Sequence, residues 1–262
     1  MSTQTLIEAM RDAGVDPGSM PLVPDGVLRR YRGPGDKRGQ KNCWYTLYDH
    51  GGAFGSWRLG LNQTWSNGAN HKLTRDQRQK LKADIKAAQA KAETEQKQIH
   101  ETAAAKARRL YDSARPLAQA DHPYLVRKNV QPHGIRQLGP SLVIPLHDVV
   151  TDELVSLQFI RPDGNKRFLH GGRTGGCCLS IGELPEGGPE QIAVGEGFAT
   201  AASIHESAKS SVHLLVVAAF NAGNLLAVAK ALRQKYRAAT ILLCADDDRR
   251  TPGNPGLTIS AL

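Results

Sequence analysis

Three adjacent carboxylates, Asp246, Asp247 and Asp248, close the apolar run LLCA and are followed by Arg249 and Arg250. Adjacent negative charges repel one another and are costly away from water. Two arrangements relieve that cost. In one, the acids sit in a solvated Asx turn or cap a helix ahead of the segment PGNPGL. In the other, a divalent cation neutralises them. A strand sends residues i and i+2 to one side, so Asp246 and Asp248 face one locus while Asp247 points elsewhere. A further acid, Glu196 in AVGEGFATA, ends another apolar run at a matching position. Hard oxygen donors from two strand ends suit Mg²⁺ or Mn²⁺, which keep several waters and take few carboxylates. The matching placement of Glu196 favours the cation over the turn.

The elements that must position these acids are legible. QIAVGE reads as a strand, FATAASIHESA as a helix and VHLLVVAAF as a second strand. LLAVAKALRQKY, after NAGN, reads as a second helix, and ATILLCADDD as a third strand. Strands alternating with helices through short loops imply a parallel sheet with crossover helices, and continuous apolar strands suit burial on both faces. In such α/β sheets ligands gather outside the carboxyl ends of the strands. Other phosphate motifs fail. No G-x-x-x-x-G-K-[ST] occurs, and GEGFAT has Thr200 where a dinucleotide fingerprint needs its third glycine.

Upstream, SLVIPLHD and ELVSLQFIR read as strands, the latter feeding a PDGN turn into KRFLHGG. Arg161, Lys166 and Arg167 flank that turn, and Arg127 and Lys128 end a short helix in HPYLVRKNV; these five cations are candidates for gripping nucleotide phosphates or a template strand. His122, His147 and His170 read as structural. The segment 73–115 contains no Gly or Pro and is rich in helix formers, with Thr74 as N-cap and a thin apolar stripe at Leu81, Ile85, Ala88 and Ala92. Twelve basic against six acidic residues between 72 and 115 make it read as a solvated linker.

Nearer the start, TLIEAMRDAG predicts a short helix stopped by Gly14, and CWYTLY followed by DHGG predicts a β-hairpin. Seven of the fourteen aromatic residues fall between Tyr31 and Trp65, among Arg29, Arg30, Arg32, Lys37, Arg38, Lys41 and Arg58. Such a mixture serves either as a surface that stacks bases and holds phosphates or as the aromatic core of a small β-module.

The whole chain carries 34 Lys+Arg against 25 Asp+Glu, a formal charge of +9, which favours an acidic partner such as nucleic acid. Its four cysteines, Cys43, Cys177, Cys178 and Cys244, form no C-x-x-C pair, so no zinc ribbon is expected. With no signal peptide and no long apolar run, the reading is a cytoplasmic protein with reduced thiols and no membrane partner.

The order AVGEGFATA, VVAAFNAGNL, ILLCADDD resembles the Toprim domain of plasmid- and phage-type DNA primases. Glu196 matches the acidic glutamate of that family, and Asp246 and Asp248 match its D-x-D pair. HPYLVRKNV, SLQFIRPDGNKRFLHGG and CLSIGE resemble the basic subdomain that precedes Toprim, and WYTLYDHGGAFGSWRLG resembles the module that opens such polypeptides. The resemblance implies an α/β fold with four parts: a β-rich N-terminal module over 1–72, a helical linker over 73–115, a basic β-rich subdomain over 116–188 and a Toprim domain over 189–262. The last part reads as C-terminally incomplete, as in the N-terminal piece of a primase or primase-helicase. The implied activity is synthesis of short primers on single-stranded DNA from nucleoside triphosphates, with Mg²⁺ or Mn²⁺ held by Glu196, Asp246 and Asp248 and assisted by Asp247, and with a helicase domain or subunit as partner. Two rivals stand beside it: Toprim-type strand cleavage by a nuclease or topoisomerase, for which no tyrosine here has an obvious motif, and a non-catalytic DNA-binding platform.

Overall fold

A computed structural model describes residues 2–36, 38–68, 73–116, 118–208 and 213–244. The chain divides into two compact units, residues 1–97 and 98–262. The mixed α/β class expected from the sequence is what forms.

The first unit contains α1 (Ser2–Asp12) and the strands β1 (Arg29–Tyr31), β2 (Cys43–Tyr48), β3 (Gly51–Ser56) and β4 (Leu61–Ser66), joined as an antiparallel meander in chain order. The DHGG hairpin is present: Tyr48 pairs with Gly51 across a two-residue turn. One face of the sheet buries Tyr31, Tyr45, Leu47 and Phe54 against Leu6 and Met10 of α1. The other face buries Trp44 and Ala53 against Ala92 and Ile85 of the long helix α2 (Arg75–Ser113). Gly55 allows that second contact, because a Cβ there would lie 2.9 Å from the Trp44 ring. The aromatic residues of this region therefore chiefly build a core.

Helix α2 begins with a capping box. The Gln77 amide donates to Thr74 Oγ1 (3.2 Å) and the Thr74 amide donates to Gln77 Oε1 (2.9 Å), which satisfies two otherwise unpaired donors. The apolar stripe expected at Leu81, Ile85, Ala88 and Ala92 is partly buried, and burial extends further along the helix than that stripe. Ala88 and Ala92 are buried in the first unit, and Ala103, Ala104 and Ala107 are buried in the second. Alanines give a helix little apolar weight in sequence, yet they let it approach a sheet closely.

The second unit adds α3 (Pro123–Lys128), β5 (Arg136–Leu138), β6 (Ser141–Asp148), β7 (Leu154–Ile160), β8 (Lys166–Phe168) and β9 (Cys177–Ile181). These are followed by β10 (Gln191–Gly195), α4 (Phe198–Ser207), β11 (Leu214–Ala218), α5 (Ala222–Lys235) and β12 (Thr240–Cys244). Its strands form one sheet in the order β12-β10-β11-β9-β6-β7-β8, with β5 pairing β6. β10 pairs in parallel with β11 on one side and with β12 on the other; the remaining pairs are antiparallel. Helix α4 packs on one face through Phe198, Ala201 and Ala202, whereas α5 packs on the other through Leu225, Val228 and Leu232. Among the described residues no helix is long and apolar enough to cross a membrane.

Asn224, buried in α5, ties the parallel strands to the antiparallel ones. Its Oδ1 accepts from the Gly176 amide (2.9 Å), while its Nδ2 donates to the Cys177 carbonyl (3.0 Å) and the Ala219 carbonyl (2.8 Å). Asn224→Ala leaves those groups without this partner, and a loss of about 2–4 kcal/mol is expected, read from the urea midpoint. In the first unit, Asp36 accepts from the Gly33 amide and from both nitrogens of Asn42, and pairs with Arg58 at 3.4 Å. Burial alone raises its carboxyl pKa, but the Asn42 and Gly33 hydrogen bonds and the Arg58 charge outweigh burial and hold it below the ordinary carboxylate range. Its stabilisation is then complete above the unfolded pKa of about 4 and fades as pH falls through the lower folded value. Melting temperature is expected to drop more steeply on acidification below about pH 4 in the natural chain than in Asp36→Asn.

Candidate functional site

Register decides which strand ends meet. Gly195, the last residue of β10, lies opposite Ala218 of β11 and opposite Cys244 of β12. With the first helix on one face and the second on the other, the strands follow the spatial order second, first, third. In such sheets the crevice opens between the first and third strands at their carboxyl ends, here between β10 and β12. Glu196 is the residue immediately after β10.

Glu196 is only 9% exposed. A carboxylate so buried needs compensating positive charge or donors. Glu196 precedes Gly197, the N-cap of α4, which has no side chain to cap the helix, and no acid occupies the first turn, so the residue next to the carboxylate in sequence opens on the positive end of the helix dipole. Lys166 Nζ approaches the same stretch, lying 3.6 Å from the place a Cβ on Gly197 would take.

Lys166 belongs to a larger cationic corner. Its Nζ lies 5.8 Å from the centre of the Tyr124 ring, and the Arg127 guanidinium lies 5.8 Å from the same ring. Arg127 Nη1 donates to the Pro162 carbonyl (3.1 Å), joining α3 to the turn between β7 and β8. That turn requires its glycine: Gly164 has φ +89°, and a Cβ there would lie 2.7 Å from Arg127 Nη2. Helix α3 is oriented by His122. The Tyr124 amide donates to His122 Nδ1 (3.2 Å), so the ring donates from Nε2 to the Pro140 carbonyl (3.0 Å), a structural role as expected.

The five candidate cations are thus not equivalent. Lys166 and Arg127 meet at Tyr124. Arg161 is exposed at the base of the turn, where its backbone amide pairs with the Asn165 carbonyl. Arg167 pairs with Phe159, which packs with the cluster of Leu157, Leu169 and Ala107, so it belongs to the opposite sheet face from Lys166. Lys128 is exposed in the last turn of α3. Asp246, Asp247 and Asp248 lie outside the described residues, and among the described residues no group of three metal-ligating side chains forms. In the first unit most of the cations among the aromatics serve its own loops. Arg29 forms a two-pronged pair with Asp25, Arg30 lies 4.2 Å above the Trp57 ring, Arg32 donates to the Asp36 carbonyl, and Arg58 donates to the Pro34 carbonyl and faces Asp36. Arg38 and Lys41 are exposed, and Lys37 lies outside the described residues.

Two residues of this corner escaped the sequence reading. Tyr124 stands three positions before Arg127, a helical spacing that places ring and guanidinium on one face. Phe220 carries a left-handed backbone (φ +74°) at the end of β11, and its ring meets Phe168 edge-on at 6.2 Å. Nothing in the string AAFNAG announces that conformation.

Comparison with known proteins adds ancestry to this geometry. A DNA primase TraC of Escherichia coli is 33% identical over 264 residues, spanning 96% of this chain. Over nearly its whole length this chain is similar to a segment of the TraC DNA primases. A second protein of that name, also from Escherichia coli, is 31% identical over 95% of the chain. The chain spans only 24% and 18% of the length of these two relatives. No protein-family model matches. A solved structure of the bacteriophage T7 lagging-strand DNA polymerase interacting with primase domains of two gp4 subunits bound to an RNA/DNA hybrid and dTTP aligns over 52% of this chain and 70% of that chain. The identity is 15% and the TM-score 0.35, a likeness that carries no argument about fold.

The Tyr124 hydroxyl is buried and has no hydrogen-bond partner among the described residues, and burial raises its pKa, so it stays a neutral phenol. Tyr124→Phe removes that unsatisfied group while keeping the ring between the two cations. Stability is expected to hold or to rise by up to about 1 kcal/mol, measured as a shift of the urea midpoint.

Proposed function

We propose that this chain carries the primer-synthesising core of a DNA primase, with residues 189–262 as its Toprim domain and the preceding β-rich segment as a cationic wall beside it. What supports the reading is the end of β10, where the buried Glu196 directly precedes the uncapped N-terminus of α4 and Lys166 Nζ lies near Gly197. The relationship to the TraC DNA primases supports it along nearly the whole chain.

Glu196 offers hard oxygen donors, and β12, paired in register beside β10, ends two residues before Asp246 in sequence. A donor set of Glu196, Asp246 and Asp248, with Asp247 nearby, fits Mg²⁺ or Mn²⁺ by its chemistry. When bound there, such an ion supplies Lewis acidity toward a phosphate oxygen. The chain's own residues do the rest. Lys166 places a cation at the mouth of the crevice, where the triphosphate of an incoming nucleotide carries its charge. Arg127 and Arg161 extend that field along the β7–β8 turn, where the phosphates of a template strand fit. The bond formed joins the primer 3′-oxygen to the α-phosphorus of the incoming nucleotide; the bond broken releases pyrophosphate. No covalent intermediate with the protein is needed.

The test supplies single-stranded template, labelled ribonucleotides and Mg²⁺ or Mn²⁺. Glu196→Gln and Asp246→Asn are each expected to lower labelled-oligonucleotide synthesis by about 10²-fold or more. Lys166→Ala is expected to act chiefly through a raised KM for nucleotide. Undiminished synthesis by Glu196→Gln removes the carboxylate from the reaction. Nicking of plasmid DNA without nucleotides points instead to strand cleavage, and strand binding without any incorporation points to a binding platform.

A further inference from the structure

The first unit holds a groove of about 720 Å³ between strand β4 and the N-terminal half of α2. Leu81 and Ile85 line it with apolar surface on the helix side, and Thr64 and Ser66 of β4 line its far side, while the Trp65 ring packs on the opposite face of the sheet. Along the helix side run Arg78, Lys82 and Lys86. They succeed one another at i, i+4 and i+8, so they form one row with a step of about 6 Å, the order of one nucleotide step of an extended strand. Among the described residues no acid lines the groove.

These three cations differ from most of those in the neighbouring meander. Arg29, Arg30, Arg32 and Arg58 are engaged by carboxylates, carbonyls or a Trp ring of their own unit. Arg78, Lys82 and Lys86 are exposed, and among the described residues no ion pair or side-chain hydrogen bond engages them. An apolar trough with one cationic bank and one hydroxyl bank complements a chain that has flat apolar faces on one side and regularly spaced negative charge on the other. We propose that this groove binds single-stranded DNA, its bases lodged over Leu81 and Ile85 and its phosphates held by Arg78, Lys82 and Lys86. This is a contact remote in sequence from Glu196. It rests on the primase reading only for the choice of strand, because binding needs neither metal nor nucleotide.

The experiment measures anisotropy of a fluorescein-labelled oligothymidylate with the full chain, in EDTA and without nucleotide, across a salt series. The triple variant Arg78→Gln, Lys82→Gln, Lys86→Gln is expected to bind about tenfold more weakly or worse, and its log Kd against log salt to flatten by about two units, close to 0.7 per lost phosphate contact. A control that removes the same charge elsewhere on the helix, Lys80→Gln, Lys91→Gln, Lys106→Gln, is expected to change Kd by less than about threefold. Glutamine keeps helix propensity close to that of lysine, so equal melting curves confirm that both triples fold. An iodouracil-substituted strand is expected to photocrosslink within residues 64–66 or 78–89. Equal weakening by the two triples, no weakening by the first, or crosslinks confined to the second unit overturns the proposal. So does stronger competition by poly-glutamate than by unlabelled oligothymidylate, which would mark the groove as a site for an acidic polypeptide. Binding retained by Glu196→Gln separates this site's success or failure from that of the polymerase reading.

Discussion

Parallel pairing of β10 with β11 on one edge and β12 on the other is the constraint from which the candidate site follows. The three strands, QIAVG, LLVVA and TILLC, carry no charged side chain, so both faces of the sheet can be covered by helices at little desolvation cost. Because α4 and α5 cover opposite faces, the chain leaves β10 toward one side only, and a crevice opens beside its carboxyl end. A shift of one residue in register would send Glu196 to the other face. The hydrogen bond from the Ala219 amide to the Gly195 carbonyl (2.9 Å) extends the ladder up to the residue before Glu196. Asn224 then anchors the end of β11 to the loop before β9. The antiparallel half of the sheet, which carries Lys166, is thereby held in fixed relation to the parallel half, which carries Glu196.

Charge is partitioned by the same geometry. An excess of nine positive charges gives a basic surface only where cations remain unneutralised. In the second unit Asp148 is held by Arg173, and Lys235 pairs with Asp152 at 2.6 Å, so these charges serve the fold. Arg136 donates to the Tyr111 carbonyl and lies 4.1 Å from that ring. Lys166 and Arg127 are exposed and lie near the buried Tyr124 ring, each 5.8 Å from its centre.

The alternation of apolar strands and helices from 191 to 244 was legible because each element is long and continuous, and Glu196 followed from where the first strand ends. The hairpin at Asp49 and His50 and the cap at Thr74 were legible for local chemical reasons, a turn sequence in one case and a Thr-x-x-Gln box in the other. The burial of α2 beyond Ala92 was not legible, because its further contact stripe, Ala103, Ala104 and Ala107, is alanine, and alanine weighs little in any hydrophobic pattern. The union of Tyr124 with Lys166 was not legible either. The two lie 42 positions apart in sequence, and only the fold of β7 and β8 back onto α3 brings them together. Nor could spacing alone separate Arg167 from Lys166. Both flank the same turn, but strand alternation sends adjacent residues to opposite faces, and which face carries α4 is a tertiary fact.

Phe220 shows how local strain and the site's framework are coupled. A bulky residue with φ +74° costs on the order of 1–3 kcal/mol against an ordinary backbone. Glycine would escape that cost but would lose the ring, which is 7% exposed and packs edge-on against Phe168. The flanking bonds hold the conformation: the Ala219 amide donates to Gly195, the Ala219 carbonyl accepts from Asn224, and the Asn224 amide donates to the Asn221 carbonyl. Phe168 lies two residues beyond Lys166 on the same strand, so the two side chains share a face. The reversal at Phe220 therefore ends β11, starts α5 and places an aromatic stop against the strand that carries the cation. A residue without a ring would leave Phe168 without its edge-on partner on the face of β8 that carries Lys166.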